Sequence, residues 1–241
     1  MEPEQPERIS ELFNEQDLLI FDEEIRKFLA EPEVLQYVVE PRITAVEVMM
    51  IYEKGSLRSA STQRGPVTIS FKTILTVPLT FVPLRKERSV PDYLEIRSDV
   101  YMEAEAFARL NQERAKKNLP SFSDPRAAVE DSLLQTDPRV SAKRPLNYFC
   151  SCAGKSADLQ AATHYELMVS LQELGLRVNR PHIKTAGGIH EVLDHCLRLR
   201  AEKGNFLYPV EGALIRINSL DLQARLARAS GDRRGMVVFK F

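Results

Sequence analysis

The 241-residue chain sets 33 lysines and arginines against 34 acidic residues, for a formal net charge of −1, and is 44% hydrophobic and 28% charged. That balance supplies a sizeable buried core and excludes both a disordered chain and a surface built throughout for nucleic acid, although a local basic face stays open. No apolar run reaches the roughly 20 residues that cross a bilayer, and the acidic start "MEPEQPERIS" is unlike a secretory leader, so the chain reads as cytoplasmic with no membrane partner.

The elements follow in chain order. Leu18, Phe21, Ile25 and Phe28 recur at helical spacing behind Asn14, which is placed to cap a first helix. "LQYVVE" and "ITAVEVMMIY" are short and β-branched and read as strands, with "EKGS" as the turn after the second. "PVTISFKTILTVPL" and "YLEIRSDVYM" continue the β-rich block, and "PLRKERSVPD" between them reads as an exposed charged loop.

From Glu103 to about Asn118 the pattern turns helical, with Phe107 and Leu110 on one face and Pro120 as the stop. "PRAAVEDSLLQ" reads as the next helix and "YFCSCAG" as a strand. Thr163 and Glu166 have capping-box spacing ahead of a helix that Gly175 closes, and "GIHEVLDHCLRLRAEKG" predicts another. A strand "PVEGALIRI", a short helix "SLDLQARLARA", a turn over Ser230 to Gly235 and a last strand "MVVFKF" complete the pattern. With no βαβ rhythm and no glycine-rich phosphate loop, an α+β fold with mostly antiparallel sheets fits, and a Rossmann fold does not.

Cys150, Cys152 and Cys196 contain no C-x-x-C pair and no disulfide framework. Together with His190 and His195 they lack zinc-ligand spacing, so the reading is free thiols and no metal site. The four histidines show no nucleophile-base arrangement, and the short basic runs "SAKRPL" and "ASGDRRG" read as solvated surface.

Five stretches carry a resemblance: "VVEPRITAVEVMMIYEKGSL", "LEIRSDVYM", "FSDPRAAVEDSLLQTDPRVSAKRPLNYF", "YPVEGALIRINSLDLQARL" and the final "VVFKF". In order and spacing they resemble the motifs of the adenylation domain of NAD-dependent DNA ligases, over nearly the whole chain. The resemblance implies a nucleotidyltransferase fold whose antiparallel sheets, flanked by helices, enclose a nucleotide cleft. It divides the chain into an N-terminal helical segment, 1–30, and a two-subdomain core, 31–241, of one domain over 1–241. No OB-fold, zinc, helix-hairpin-helix or BRCT module is implied within it, so the chain alone is not expected to seal nicks. The family's chemistry begins with a lysine that attacks the adenylyl phosphorus of NAD; AMP then passes to a nicked DNA 5′-phosphate.

Carried over residue by residue, Glu40 matches the acidic residue that contacts adenine. The lysine of the Lys-x-Asp-Gly signature is Arg42, and its aspartate and glycine are Thr44 and Ala45. Arg64 stands for the arginine of a Thr-Arg-Gly-Asp-Gly loop. Arg97, Ser98 and Asp99 stand for Arg-Gly-Glu, and Arg126 for the arginine of Asn-Pro-Arg, while the next motif's arginine falls at Leu134. Glu211, Gly212 and Arg216 replace Asp-Gly-x-x-x-Lys, and Lys240 matches a late catalytic lysine.

Arg42 decides the chemistry. Lysyl-AMP formation needs a neutral amine with a free lone pair; a guanidinium stays protonated with its lone pairs delocalised, but still pairs with phosphate. The expectation is therefore a non-catalytic homologue that binds an adenine nucleotide, NAD among them and with magnesium, or a DNA backbone. The alternatives are a working nucleotidyltransferase that uses Lys240 or a partner chain carrying the missing ligase domains, and a scaffold that retains only the fold. The plain reading of Arg42, Glu40 and Thr44 as the solvated face of an alternating strand also stands.

Overall fold

The computed structural model describes residues 9–31, 34–67, 91–135, 137, 143–154, 159–230 and 235–241. The strand expected in "PVTISFKTILTVPL" lies beyond Val67 outside the described residues, as do most of the "PLRKERSVPD" loop and the turn before Gly235.

The first helix, α1 (Glu15–Leu29), starts where Asn14 accepts the Asp17 amide at 2.9 Å and stops where Ala30 turns left-handed at φ 54°. Acids in its first turn and Arg26 and Lys27 in its last complement the helix dipole. Leu18, Phe21 and Ile25 are buried as expected, but Phe28 is 44% exposed and Leu29 takes its place in the core. The reason is angular: Leu29 lies within about 20° of Leu18 around the helix axis, Phe28 about 80° away.

Two five-stranded sheets are formed among the described residues. The first contains β1 (Ser10–Leu12), β2 (Gln36–Ile43), β8 (Lys184–Gly187), β9 (Val210–Ile217) and β10 (Met236–Lys240), in the order β1-β10-β9-β2-β8. The second contains β3 (Val46–Glu53), β4 (Ser56–Thr62), β5 (Gly65–Pro66), β6 (Tyr93–Met102) and β7 (Leu146–Ala153), in the order β5-β4-β3-β6-β7. Every pairing is antiparallel except β1 with β10, so the expected α+β class with mostly antiparallel sheets holds.

The other helices are α2 (Ala104–Lys116), α3 (Pro125–Leu133), α4 (His164–Glu173), α5 (Ile189–Glu202) and α6 (Leu220–Ser230). The expected capping box at α4 is formed: Thr163 accepts the Glu166 amide, and Glu166 accepts the Thr163 amide in return.

Three points differ from the sequence reading. The segment 1–30 is not only helical, because Ser10–Leu12 adds a parallel strand beside β10. The strand through "LQYVVE" does not stop at Pro41 but runs on to Ile43. Its partner β8 ends opposite Val39, so Pro41 is paired on one side only, a position where a missing N–H is tolerated. Strand β8 itself was not foreseen.

Alternation along the strands separates the two faces of the first sheet. Tyr37, Val39, Ile215, Ile217, Val237 and Phe239 pack with α1, α5 and α6 into one core. The opposite face carries Val38, Glu40 and Arg42 from β2, Arg216 from β9 and Lys240 from β10. On the second sheet Val48, Met50, Ile96, Val100 and Tyr148 form another core with α3 and α4. This leaves Glu47 and Asp99, cross-strand partners, on the face that meets the first sheet.

Candidate functional site

The two sheets enclose a cleft of about 700 Å³. Sheet register builds its floor: Arg42 and Lys240 both pair with Gly212, one from each side of β9, so their side chains meet across a residue that has none. A Cβ on Gly212 would come within 2.5 Å of the Phe239 carbonyl oxygen, so the close approach of β10 to β9 requires glycine.

One residue of β9 escapes the alternation. Arg42 pairs with Gly212 and Ile43 with Val210, which leaves Glu211 as the extra residue of a β-bulge. A bulge re-aims its side chain, and the Glu211 carboxylate comes within 3.6 Å of the Arg42 Nε and 3.1 Å of the Lys240 Nζ. Strand β1 adds Glu11, 3.2 Å from the same Lys240 nitrogen. Burial alone would lower the Lys240 pKa, but the hydrogen bonds to Glu211 and Glu11 outweigh it, so the ammonium form is held more firmly than usual.

The far wall comes from α3 and the β4–β5 turn. Asp124 caps α3 through the Ala127 amide and Pro125 occupies its first position, which aims the following turn into the cleft. There Glu130 receives Arg64 Nη1 at 3.1 Å and Arg126 Nε at 3.7 Å. Leu134, at the position where the resemblance expects an arginine, also lines this wall.

Glu40 and Arg216 do not line the open cleft. They form an ion pair at 2.5 Å behind it, with side chains 8% and 6% exposed. Beside them His164 is fully buried, and neither of its ring nitrogens has a hydrogen-bond partner. Burial, then the charge of Arg216, pushes its pKa well down, so it is a neutral imidazole.

Asp99 faces this group from the second sheet. Burial chiefly raises its carboxyl pKa; Arg42 opposes the rise, Glu40 and Glu47 add to it, and Arg216 opposes it, leaving the pKa at about 6. Since this exceeds the unfolded value of 3.8, ionising Asp99 costs the folded state stability, beginning as the pH passes about 4 and complete above about 6. Asp99→Asn is therefore expected to stabilise the protein at pH 7.5 by roughly 1–2 kcal/mol, a gain that vanishes near pH 4. Thermal melts at the two pH values measure it.

Eight of the motif residues singled out from the sequence thus fall at one location: Arg42, Arg64, Asp99, Arg126, Glu211 and Lys240 on the cleft, Glu40 and Arg216 directly behind; Arg97 and Thr44 do not line it. Three cleft carboxylates were not foreseen, namely Glu11, Glu47 and Glu130. Among the described residues no cluster of three or more His, Cys, Asp or Glu side chains is arranged to hold a metal ion, and all three cysteines are free. Nor is any helix among them long and apolar enough to cross a membrane.

Comparison with known proteins places residues 8–241 in a match to the model of the NAD-dependent DNA ligase adenylation domain. The DNA ligase of Syntrophus aciditrophicus (strain SB) is 34% identical over 238 residues, covering 97% of this chain and 35% of that protein. The DNA ligase of Desulforamulus reducens is 36% identical over 234 residues, covering 95% of this chain and 34% of that protein. The chain therefore spans about a third of the length of these relatives. A solved structure described as a putative ATP-dependent DNA ligase from Aquifex aeolicus superposes with a TM-score of 0.46 at 14% identity, over 98% of this chain and 49% of that one.

Proposed function

The chain belongs to the family of NAD-dependent DNA ligase adenylation domains, and we propose that it is a member without covalent adenylyl transfer whose cleft binds an adenine nucleotide. The observation that carries this reading is Arg42. In our reading of the motif resemblance it stands for the family's lysine, and it lines the cleft as a guanidinium set against Glu211. Such a group can hold a phosphate by paired hydrogen bonds but has no free lone pair to attack one.

Lys240 is a poor substitute nucleophile. Its nitrogen is shared between Glu11 and Glu211, which stabilise the ammonium. A reacting lysine needs the opposite environment, one that favours the amine. This favours binding over the reading of a working nucleotidyltransferase.

The cations at Arg42, Arg64, Arg126 and Lys240 suit a phosphate chain, and Asp99 lines the same cleft, while Glu40, held by Arg216 behind it, would act only through that pair. In this reading residues 1–241 act as one adenylation-like domain. Magnesium would accompany the nucleotide on its phosphates, as this ion commonly does. Kinship to proteins named DNA ligase makes a nicked DNA terminus the setting in which such binding would serve.

The test is a thermal melt with ATP, AMP or NAD. A ligand that binds only the folded state raises the melting temperature in proportion to RT ln(1 + [L]/Kd), and a rise is expected with each. An unchanged melting temperature at millimolar concentrations of all three would reject nucleotide binding.

A further inference from the structure

Away from the cleft, a groove of about 460 Å³ runs beside β8, the strand that ends the first sheet. Tyr165 of α4 and His195 of α5 flank it, with Arg180 from the single 3-10 turn before β8 and Lys184 and Thr185 from β8 itself. Two permanent cations and a histidine line the groove, and no carboxylate does. Arg180 is held only by a neutral acceptor, the Gln172 side-chain oxygen at 3.0 Å.

Register fixes which backbone groups of β8 face outward. The Asn218 N–H donates to the Gln36 carbonyl at 2.8 Å, so Gln36 and Val38 turn their backbone groups toward β9, while Tyr37 and Val39 turn theirs toward β8. Ala186 and Lys184 stand opposite Tyr37 and Val39 and answer them; Thr185 and Gly187 therefore point the other way. Gly187 confirms the direction, because its N–H donates to Glu191 Oε2 on α5 at 2.7 Å instead of to β2. The Thr185 N–H and carbonyl thus open onto the groove. We infer that an acidic segment of a partner protein adds as a short strand along β8, bonding the Thr185 backbone while its carboxylates meet Arg180 and Lys184.

An open edge accepts an extended peptide through main-chain hydrogen bonds, and the side chains beside it choose the peptide. A lysine on the edge and a proline next to it, here Lys184 and Pro181, deter a second copy of the same chain from pairing. For an acidic strand the same lysine becomes an attraction. The addition is short, because the turn uses the Ile183 N–H for the Arg180 carbonyl at one end and Glu191 covers the Gly187 N–H at the other. This surface is independent of the nucleotide cleft.

The probe is a short synthetic peptide alternating glutamate with valine, titrated at low salt into the whole chain and followed by calorimetry and by amide hydrogen exchange. At saturation the Thr185 amide is expected to exchange about tenfold more slowly, while the Ala186 amide, already directed to β2, is unchanged. Thr185→Pro removes only the outward N–H, a change an edge strand tolerates, and is expected to weaken binding roughly fivefold. Arg180→Glu combined with Lys184→Glu is expected to weaken it more than about tenfold. Should Thr185→Pro fail to fold, the exchange measurement and the charge reversal still decide. No binding of the acidic peptide, equal binding of its lysine-for-glutamate counterpart, or a Thr185 amide left unprotected would overturn the inference. So would a thymidine oligonucleotide that binds as tightly and leaves that amide exposed, since the groove would then hold phosphates and not a strand.

Discussion

Glu40→Ala is expected to destabilise the protein by about 3–5 kcal/mol, because it strands a buried arginine. Arg216 is 5% exposed, its Nη2 is bound by Glu40 at 2.5 Å, and its Nε already has no hydrogen-bond partner. Beside it, His164 is a neutral ring with no partner of its own and takes over none of the charge, and Asp99 offsets it only as a Coulombic neighbour. The pair also joins β2 to β9 across 176 positions of sequence, and its loss loosens the floor on which Arg42 stands. The measurement is the shift in denaturation midpoint. A second variant separates the cost of an orphaned charge from the worth of the pair: Glu40→Met with Arg216→Met replaces both ions by apolar groups and is expected to recover most of the loss. Should the double variant be as unstable as the single one, the orphaned charge is not the cause.

That pair shows where reading from sequence stops. Alternation in "VVEPRI" and "ALIRI" puts Glu40 and Arg216 on defined faces of their strands, and the motif resemblance assigns both to one site. Neither says that they bind each other behind the cleft instead of facing into it; this follows from the register of β2 on β9. Glu211 was legible as a motif residue, yet its aim depends on a bulge that no periodicity reveals. Glu130 carried no signal at all. Four residues after Arg126 on a helix, it reads as an ordinary surface ion pair, and only the approach of Arg64 from the β4–β5 turn makes it part of the cleft wall. Strands β1 and β8, three and four residues long with mostly exposed side chains, offer too little alternation to register. Helices with side-chain caps were legible because a cap is a local interaction; the cleft was legible only through resemblance, because its parts come from both sheets, a helix and a turn.

Incubated with NAD and magnesium, or with ATP and magnesium, the protein is expected to keep its unmodified mass under denaturing conditions. Covalent transfer at position 42 would require a neutral guanidine to attack phosphorus, and an arginine side chain stays protonated throughout the accessible pH range. Transfer to Lys240 would require breaking two ion pairs and then removing a proton that both carboxylates stabilise. An adenylyl adduct on the wild type, mapped by peptide mass to Lys240 or another lysine, would overturn the non-covalent reading. Arg42→Lys tests whether one replacement disarmed the site. A lysine ammonium there would face Glu211, which lies 3.6 Å from the present Arg42 Nε, and Asp99, ionised above about pH 6; both anions favour the charged form over the amine. Arg42→Lys alone is therefore expected to remain unmodified at pH 7. An adduct on Arg42→Lys under those conditions would instead mean that the cleft still lowers the barrier to adenylyl transfer once an amine is supplied, and that Thr44, Ala45 and Leu134 do not prevent it.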